Sequence, residues 1–340
     1  MCGITGFVST RSLSEEDLHI YIDKMSSVLT HRGPDDTGAW IDKEKNISLG
    51  HKRLSILDLS ASGHQPMMSN SNRYIIVFNG EIYNHLILRK ELNELSSEII
   101  SWSGTSDTET LLKCFDFYGI ENSIKKLIGM FSIAVYDKKY NEITLIRDRL
   151  GEKPLYYGMV DGSFVFGSEL KAIKQFPNFC NPINRFALKK YFQYMYIPAP
   201  YSIYEGIFKL EPGHILKLNV NDIKTTDNYI DLRKNITQYW SLERKIKKQS
   251  QNEQKKIEDN SITELERILK NSVKTQMISD VPIGAFLSGG IDSSLITSLM
   301  QSNSSKPIQT FTIGFEESSF DESKHAQQVA EHLGTEHFEL

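Results

Sequence analysis

The order of strand-like and helix-like segments changes once along the chain, and this change limits the folds that are open to it. Up to about residue 218, segments rich in β-branched and aromatic residues come in groups, with a few amphipathic helical patterns between them. Grouped strands indicate stacked antiparallel sheets. After about residue 262, strand and helix patterns alternate, which is typical of a parallel, doubly wound sheet. We therefore predict an α+β domain followed by an α/β domain.

The patterns predict individual elements in both parts. In the first part we predict strands at 3–8, 47–56, 74–79, 130–136, 143–147, 155–159 and 164–167, and helices at 15–29, 86–95, 108–118 and 185–194. In the second part we predict helices at 262–278, 293–300 and 322–333, and strands at 283–287, 308–315 and from Glu336 onward. The tetrapeptide SDTE, Ser106 to Glu109, is a capping-box pattern, so it places Asp107 at a helix N-terminus.

A polar, lysine-rich segment separates the two parts. Residues 219–261 have no core periodicity, so we expect a linker or a solvated surface segment. The predicted domains are therefore residues 2–218 and 262–340. The last predicted strand begins at Glu336 and the sequence ends at Leu340, which would leave a parallel sheet with an unpaired edge. We expect the second domain to be truncated and the chain to be a piece of a longer protein.

Composition and net charge limit the kinds of partner that this chain is expected to bind. The formal net charge of -4 supplies no basic field of the kind that nucleic-acid binding usually needs. No window approaches about 18 uninterrupted apolar residues, so we expect no membrane partner. The 3 cysteines are far apart and lack metal-ligand spacing, which fits a reducing cytoplasm. A homodimer stays an open option.

Cys2 is the candidate nucleophile. Cysteine is small enough for Met1 to be trimmed, which would leave a thiol and a free α-amino group on one residue. The reference pKa of that amine is about 7.7–8.0 and that of the thiol about 8.5, so the two can exchange a proton near neutral pH. Cys2 could then supply both the nucleophile and the base.

Acyl transfer from an amide also needs oxyanion donors and groups that hold a charged substrate. Asn79 and Gly80 offer an amide side chain and a backbone N–H for the oxyanion. Arg53 could clamp a carboxylate, and Glu81 and Asp107 could receive an ammonium group. Taken singly, these residues have structural explanations as a hairpin turn, an ion-pair partner or a helix cap. Taken together, they favour a site.

The nonapeptide FLSGGIDSS lies between a predicted strand and a predicted helix. Gly289 and Gly290 let backbone N–H groups converge on an anion, and the helix adds its positive N-terminal end. Asp292 could carry Mg²⁺ against phosphates. Further donors are the hydroxyls of Ser288, Ser293 and Ser294. No lysine follows the glycines, so this is not a Walker loop.

The first two hundred residues resemble the glutaminase domain of glutamine-dependent asparagine synthetases. The motifs that carry the resemblance are MCGITGF, HRGPDDTG, HKRLSILDLS, FNGEIYN, SDTE and RDRLGEKPLYY. The resemblance implies a class II glutamine amidotransferase with an N-terminal-nucleophile αββα sandwich and Cys2 as nucleophile. It also implies an oxyanion hole made by Asn79 and Gly80, and glutamine contacts from Arg53, Leu54, Asn79, Gly80, Glu81 and Asp107. Gly33-Pro34 in HRGPDD is a turn signal, and we expect that motif to be mainly structural.

FLSGGIDSS resembles the SGGxDS pyrophosphate loop of enzymes that split ATP between its α and β phosphates. The resemblance implies a PP-loop domain with Asp292 as a ligand of Mg²⁺. It also implies ATP contacts from Leu287, Ser288, Gly289, Gly290, Asp292, Ser293, Ser294 and Ile313.

The family implies glutamine-hydrolysing asparagine synthesis, a ligase reaction. The amide nitrogen of glutamine would be released at Cys2 and transferred to aspartate activated by MgATP, giving asparagine, glutamate, AMP and pyrophosphate. The ammonia would cross between the two sites through an internal, largely apolar passage. Because the second domain is expected to be truncated, we expect these 340 residues alone to hydrolyse glutamine and to make no asparagine.

Three alternatives share the first domain. One is a relative that amidates a sugar acid or another carboxylate in surface-polysaccharide synthesis, and residues 193–214 (QYMYIPAPYSIYEGIFKLEPGH) resemble that branch equally well. A glutaminase coupled to a sugar-phosphate isomerase fits less well, because isomerisation needs no ATP loop. A non-catalytic regulatory protein with this fold would commonly lose the nucleophile, whereas Cys2 is present.

Overall fold

The computed structural model describes residues 1–96, 99–225, 231–250, 261–317 and 321–340. They divide into two compact units, Met1–Gln249 and Ser250–Leu340. Within these described ranges, no helix is both long and apolar enough to cross a membrane.

The first unit contains two antiparallel sheets. Its strands are β1 (Gly3–Val8), β2 (Asp36–Asp42), β3 (Ile47–Arg53), β4 (Met67–Met68), β5 (Tyr74–Ile82), β6 (Gly129–Asp137), β7 (Glu142–Arg147), β8 (Tyr156–Val160), β9 (Ser163–Gly167), β10 (Ile207–Lys209), β11 (His214–Asn219) and β12 (Ile236–Gln238). Sheet I has six strands in the order β10-β8-β9-β1-β3-β2, and sheet II has six in the order β12-β11-β7-β6-β5-β4.

The first unit also contains helices, some of which cover the outer faces of the two sheets. They are α1 (Glu15–Ser27), α2 (His85–Leu95), α3 (Asp107–Tyr118), α4 (Ile120–Lys126), α5 (Leu170–Ile173), α6 (Arg185–Tyr194), α7 (Val220–Thr225) and α8 (Leu242–Ser250). A complete capping box at Ser14 and Asp17 starts α1, which buries Leu18 and Ile22 against sheet I. Helices α2, α3 and α4 cover sheet II.

The alternation of side chains along β5 shows how the layers are built. Ile75 and Val77 point into the apolar core between the two sheets, whereas Ile76 and Phe78 pack against the helices on the other face. Both faces of the strand are therefore buried. The result is the αββα sandwich, so the predicted fold of the first domain is confirmed.

Most predicted elements of the first unit are present with shifted ends. The strand predicted at 47–56 ends at Arg53, and α3 begins at Asp107 with Ser106 as its N-cap. Only half of the predicted capping box forms, because the Glu109 carboxylate accepts from the peptide N–H groups of Ser103 and Gly104 instead. Strand β2 was not predicted, because it begins with the sequence Asp-Thr-Gly, which gives only a weak strand signal.

The segment 219–261 differs from the predicted linker over its described part. Val220, Ile223 and Leu232 are buried in the core between the sheets, and β12 pairs with β11. These few apolar residues are enough to anchor an otherwise polar run, because each fills space in a close-packed interior. The remaining residues, 226–230 and 251–260, lie outside the described residues.

The second unit contains a parallel sheet, as predicted. Its elements are α9 (Ser261–Gln276), β13 (Gly284–Phe286), α10 (Ile291–Ser302), β14 (Gln309–Thr312), α11 (Ser323–Leu333) and β15 (Glu336–Glu339). The strands pair in the order β13-β14-β15, with one helix in each connection. Val273, Leu299, Met300 and Ile308 form its core.

The anchoring role of Leu232 can be tested by its replacement. Leu232→Ala is expected to lower the free energy of unfolding of the first unit by about 2–4 kcal/mol, because it empties a buried site. Leu242→Ala, at a side chain that is 56% exposed, is the control and is expected to change that free energy by less than about 0.5 kcal/mol. Urea titration followed by circular dichroism measures both. Equal, small effects would show that the segment does not pack in the core.

Candidate active site

A cavity of about 240 Å³ lies where strands of the two sheets of the first unit meet. Cys2 enters it directly before β1, and Arg53 at the end of β3, both from sheet I. Strand β5 of sheet II supplies Asn79, Gly80 and Glu81. All the predicted glutamine-site residues line this cavity: Cys2, Arg53, Leu54, Asn79, Gly80, Glu81 and Asp107.

The thiol of Cys2 is held against the chain after β3. The backbone N–H of Leu54 donates to Cys2 Sγ at 3.4 Å, and Sγ lies 3.6 Å from the Leu54 carbonyl oxygen. Burial raises the pKa of the Cys2 thiol. Met1 lines the same cavity, and burial lowers the pKa of its α-amino group. Burial thus disfavours the charged forms of both the Met1 amine and the Cys2 thiol in this cavity.

Asn79 brings an unpaired amide into the cavity. Its side chain is 1% exposed, and Nδ2 has no hydrogen-bond partner among the described residues. An unpaired buried donor costs stability, so such groups usually serve a purpose. The Asn79 amide can therefore donate to a substrate oxygen without first giving up a protein partner.

The backbone N–H of Gly80 points away from β6, toward the outer edge of β5. Gly80 lies opposite Phe131 in the β5–β6 ladder, but the peptide groups of Phe131 are bonded to Asp148 instead. In an antiparallel pair such a residue directs its own N–H and C=O to the outer edge of the strand. A Cβ at this position would lie 2.1 Å from the Met130 carbonyl oxygen, so the close approach of β6 requires glycine. Asn79 and Gly80 thus offer two donors side by side.

Arg53 places a positive charge in the cavity wall. Nη1 donates to the Ser60 carbonyl at 3.0 Å, and Nη2 donates to the carbonyls of Leu57 and Asp58. The side chain is only 6% exposed. Because these partners are neutral carbonyls, they orient the guanidinium without neutralising it, and the charge stays available for a carboxylate.

Two carboxylates, those of Glu81 and Asp107, line the same cavity as Arg53. Asp107 is the first residue of α3, and its Oδ2 accepts from the Ile82 N–H at 2.8 Å. Burial raises the pKa of Asp107 to about 7, and burial also raises the pKa of Glu81. A ligand with an ammonium group would stabilise the ionised carboxylates. The cavity therefore presents a cation, two acids, the amide groups of Asn79 and Gly80, and a thiol.

Residues that we did not predict also shape the cavity. Arg32 donates through Nε to the Cys2 carbonyl at 2.9 Å and pairs with Glu169 at 3.0 Å. The HRGPDD motif, which we expected to be mainly structural, thus also fixes the backbone of Cys2. Lys153 is 4% exposed and lines the cavity, in a loop held by the Asp148 carboxylate. Lys153 belongs to the motif RDRLGEKP, and this motif is the sequence feature from which its place in the cavity could have been predicted.

The glycine loop of the second unit has the predicted surroundings. Leu287 follows β13, and α10 begins at Ile291. Gly289 has φ +77°, and a Cβ there would lie 2.7 Å from His325 Cβ, so both conformation and space require glycine. Ser288 Oγ and Ser293 Oγ are 3.0 Å apart and tie the loop to the first turn of the helix.

The predicted ATP residues fall into three places. Leu287, Ser288, Ser293 and Ile313 line one cavity of about 320 Å³. Gly289 and Ser294 line another cavity, together with His325 and His332. Gly290 and Asp292 are exposed, at the start and in the first turn of α10, and line neither of these two cavities. In the part of the chain that the structure describes, no group of three or more His, Cys, Asp or Glu residues is placed to hold a metal.

Comparison with known proteins adds two family matches. A family model described as a glutamine amidotransferase domain matches residues 1–230, and one described as asparagine synthase matches residues 264–340. The putative glutamine-hydrolysing asparagine synthetase 2 of Methanocaldococcus jannaschii is 39% identical over 99% of this chain and 64% of its own. Asparagine synthetase 3 of Bacillus subtilis is 34% identical over 99% of this chain and 53% of its own. The chain thus spans less than two thirds of either relative.

A solved structure is similar only at low level. The glutamine phosphoribosylpyrophosphate amidotransferase of B. subtilis aligns with 99% of this chain and 65% of its own, at 16% identity and a TM-score of 0.47. A score this low carries no conclusion about site or function.

Proposed function

Because this chain belongs to the glutamine amidotransferase family, with an asparagine synthase match behind its amidotransferase domain, we propose that it releases ammonia from glutamine at Cys2. The observation that carries this proposal is the convergence of the thiol, Arg53, the paired donors of Asn79 and Gly80, and Asp107 on one cavity. The whole protein would be a glutamine-hydrolysing asparagine synthase of the cytoplasm. Its acceptor would be aspartate.

The cavity fits the two ends of glutamine. Arg53 would clamp the α-carboxylate, while Asp107 and Glu81 would receive the α-ammonium group. Leu54 would contact the substrate beside Cys2. Held at both charged groups, glutamine would extend its side-chain amide toward the thiol, which lowers the entropic part of the barrier.

Amide cleavage would then proceed through a thioester. After Met1 is removed, the α-amine of Cys2 accepts the thiol proton, and the thiolate attacks the amide carbon. Asn79 Nδ2 and the Gly80 N–H stabilise the oxyanion, an interaction worth roughly 10²–10³ in rate for one donor. The C–N bond breaks, the nitrogen takes the proton from the α-ammonium and leaves as ammonia. Water then attacks the thioester, giving glutamate and the free thiol.

The second unit would bind ATP. The N–H groups of the Gly289-Gly290 loop and the N-terminus of α10 suit an anionic phosphate chain. Aspartate would attack the α-phosphorus and displace pyrophosphate, and ammonia would then displace AMP from the acyl-adenylate. Asp292 would be one ligand of Mg²⁺, with phosphate oxygens supplying others, as is usual for this ion.

The nucleophile is tested by glutamate release from glutamine with the purified chain. Mass spectrometry first verifies that Met1 is gone. Cys2→Ala is expected to lower the rate by at least about 10³-fold, because Cys2 is the only thiol among the described residues that line the cavity. Cys180→Ala, at an exposed cysteine, is the matched control and is expected to keep the wild-type rate. Glutamate release that survives in folded Cys2→Ala would contradict the proposal.

The carboxylate in the cavity predicts a pH dependence. The raised pKa of Asp107, about 7, means that this acid is increasingly protonated as the pH falls below neutrality. A protonated acid attracts the α-ammonium group of glutamine less, so KM for glutamine is expected to rise between pH 8 and pH 6. Asp107→Asn is expected to have a high KM that no longer changes over this range, while Asp17→Asn, at an exposed cap, behaves as wild type. A wild-type KM that is flat with pH would exclude this role.

A further inference from the structure

The two halves of the cavity belong to different sheets. Cys2 and Arg53 are carried by sheet I, whereas Asn79 and Gly80 lie on β5 of sheet II. Oxyanion donors act only when they lie about 2.7–3.1 Å from the oxygen that becomes charged. The separation between the two sheets at this point therefore determines whether the donors reach a substrate bound to the thiol.

A buried histidine makes a hydrogen bond directly from one sheet to the other. His51 lies on β3, is 1% exposed, and its Nε2 is 3.0 Å from the Phe78 carbonyl oxygen on β5. Burial lowers the pKa of His51 to about 4, so the ring is neutral at neutral pH. Because a carbonyl oxygen can only accept, Nε2 carries the proton. Nδ1 has no partner among the described residues.

A glutamine holds the other peptide group of Phe78. Gln65 Oε1 accepts from the Phe78 N–H at 2.7 Å, and Gln65 Nε2 donates to Thr108 Oγ1 at 3.2 Å. Gln65 is 4% exposed, and Thr108 follows Asp107 in α3. Strand β4 pairs only with Ile75 and Ile76, so among the described residues this edge of β5 has no strand partner at Phe78. The side chains of His51 and Gln65 take the place of a strand there, because they bond to the C=O and N–H of Phe78.

We propose that His51 and Gln65 act as a clamp on the Phe78 backbone that positions Asn79 and Gly80 relative to Cys2. The inference rests on the proposed glutaminase function. His51 lies behind the cavity wall, so it acts through Phe78 and is a positioning residue. Without the clamp the edge of β5 can shift while the thiol stays in place. A displacement near 1 Å is enough to lower a rate roughly 100-fold.

His51→Leu separates positioning from a general loss of structure. Glutamate release is expected to lose roughly 10- to 100-fold in kcat, with KM for glutamine within roughly threefold, because the charged ends of the substrate are held elsewhere. Alkylation of Cys2 by iodoacetamide is expected to keep its wild-type rate. Alkylation by iodoacetamide requires the thiolate of Cys2 but no oxyanion hole. His51→Gln retains an N–H donor and is expected to recover most of kcat.

Ser48→Ala is the matched control. Ser48 lies on the same strand, is fully buried, and its Oγ has no partner among the described residues. Its replacement is expected to leave kcat unchanged.

Gln65→Met removes the other hydrogen bond of the clamp, and it replaces His51→Leu as the test if that variant does not fold. It is expected to lower kcat with Cys2 alkylation preserved, although KM can also change because Gln65 lines the cavity.

The outcomes distinguish the clamp from the function on which it rests. An inactive wild-type chain would count against the proposed function itself. An active wild type with undiminished kcat in folded His51→Leu or Gln65→Met would overturn the clamp. A fall in alkylation equal to the fall in kcat would also overturn it, because the thiol would then have moved as well.

Discussion

The packing of two sheets face to face is the constraint on which the rest of the structure depends. Ile4 and Leu49 of sheet I meet Val77 of sheet II in one apolar core, and the same alternation continues to the ends of these strands. At these ends the inward-facing positions change from apolar to polar or charged. On β3, Leu49 is followed by His51 and Arg53, and on β5, Val77 is followed by Asn79. The cavity is thus the continuation of the core, and close packing of the core fixes its width.

Burial also sets the chemistry of the cavity. The same desolvation that raises the pKa of the Cys2 thiol raises the pKa of Asp107 and lowers the pKa of the Met1 α-amino group. Each of these groups is less stable in its charged form than it would be in water. A substrate with complementary charges would stabilise those forms. The unpaired Asn79 amide would likewise be stabilised during the reaction, because the developing oxyanion would accept its hydrogen bond.

Residue type and order were enough to predict stacked antiparallel sheets, the parallel sheet and several of the residues that line the cavity, whereas the αββα sandwich and the contact from Leu54 were implied by the family resemblance. Cys2, Asn79 and Asp107 lie in short motifs with recognisable chemistry, so local sequence identifies them. Arg32 and His51 were missed because their partners are backbone carbonyls 30 and 27 residues away, and no sequence pattern names such a partner. The anchoring of Val220, Ile223 and Leu232 was missed because single apolar residues in a polar run have no period.

The most direct test of the account is to look for the covalent intermediate. The purified, Met1-free chain is mixed with glutamine, quenched in acid during turnover and digested, and the mass of the N-terminal peptide is measured. The account predicts a glutamyl group on Cys2 that hydroxylamine removes, and its accumulation should depend on Asn79. Steady glutamate release with no acyl group on Cys2, or with the group on another residue, would contradict the assignment of the nucleophile and of the cavity built around it.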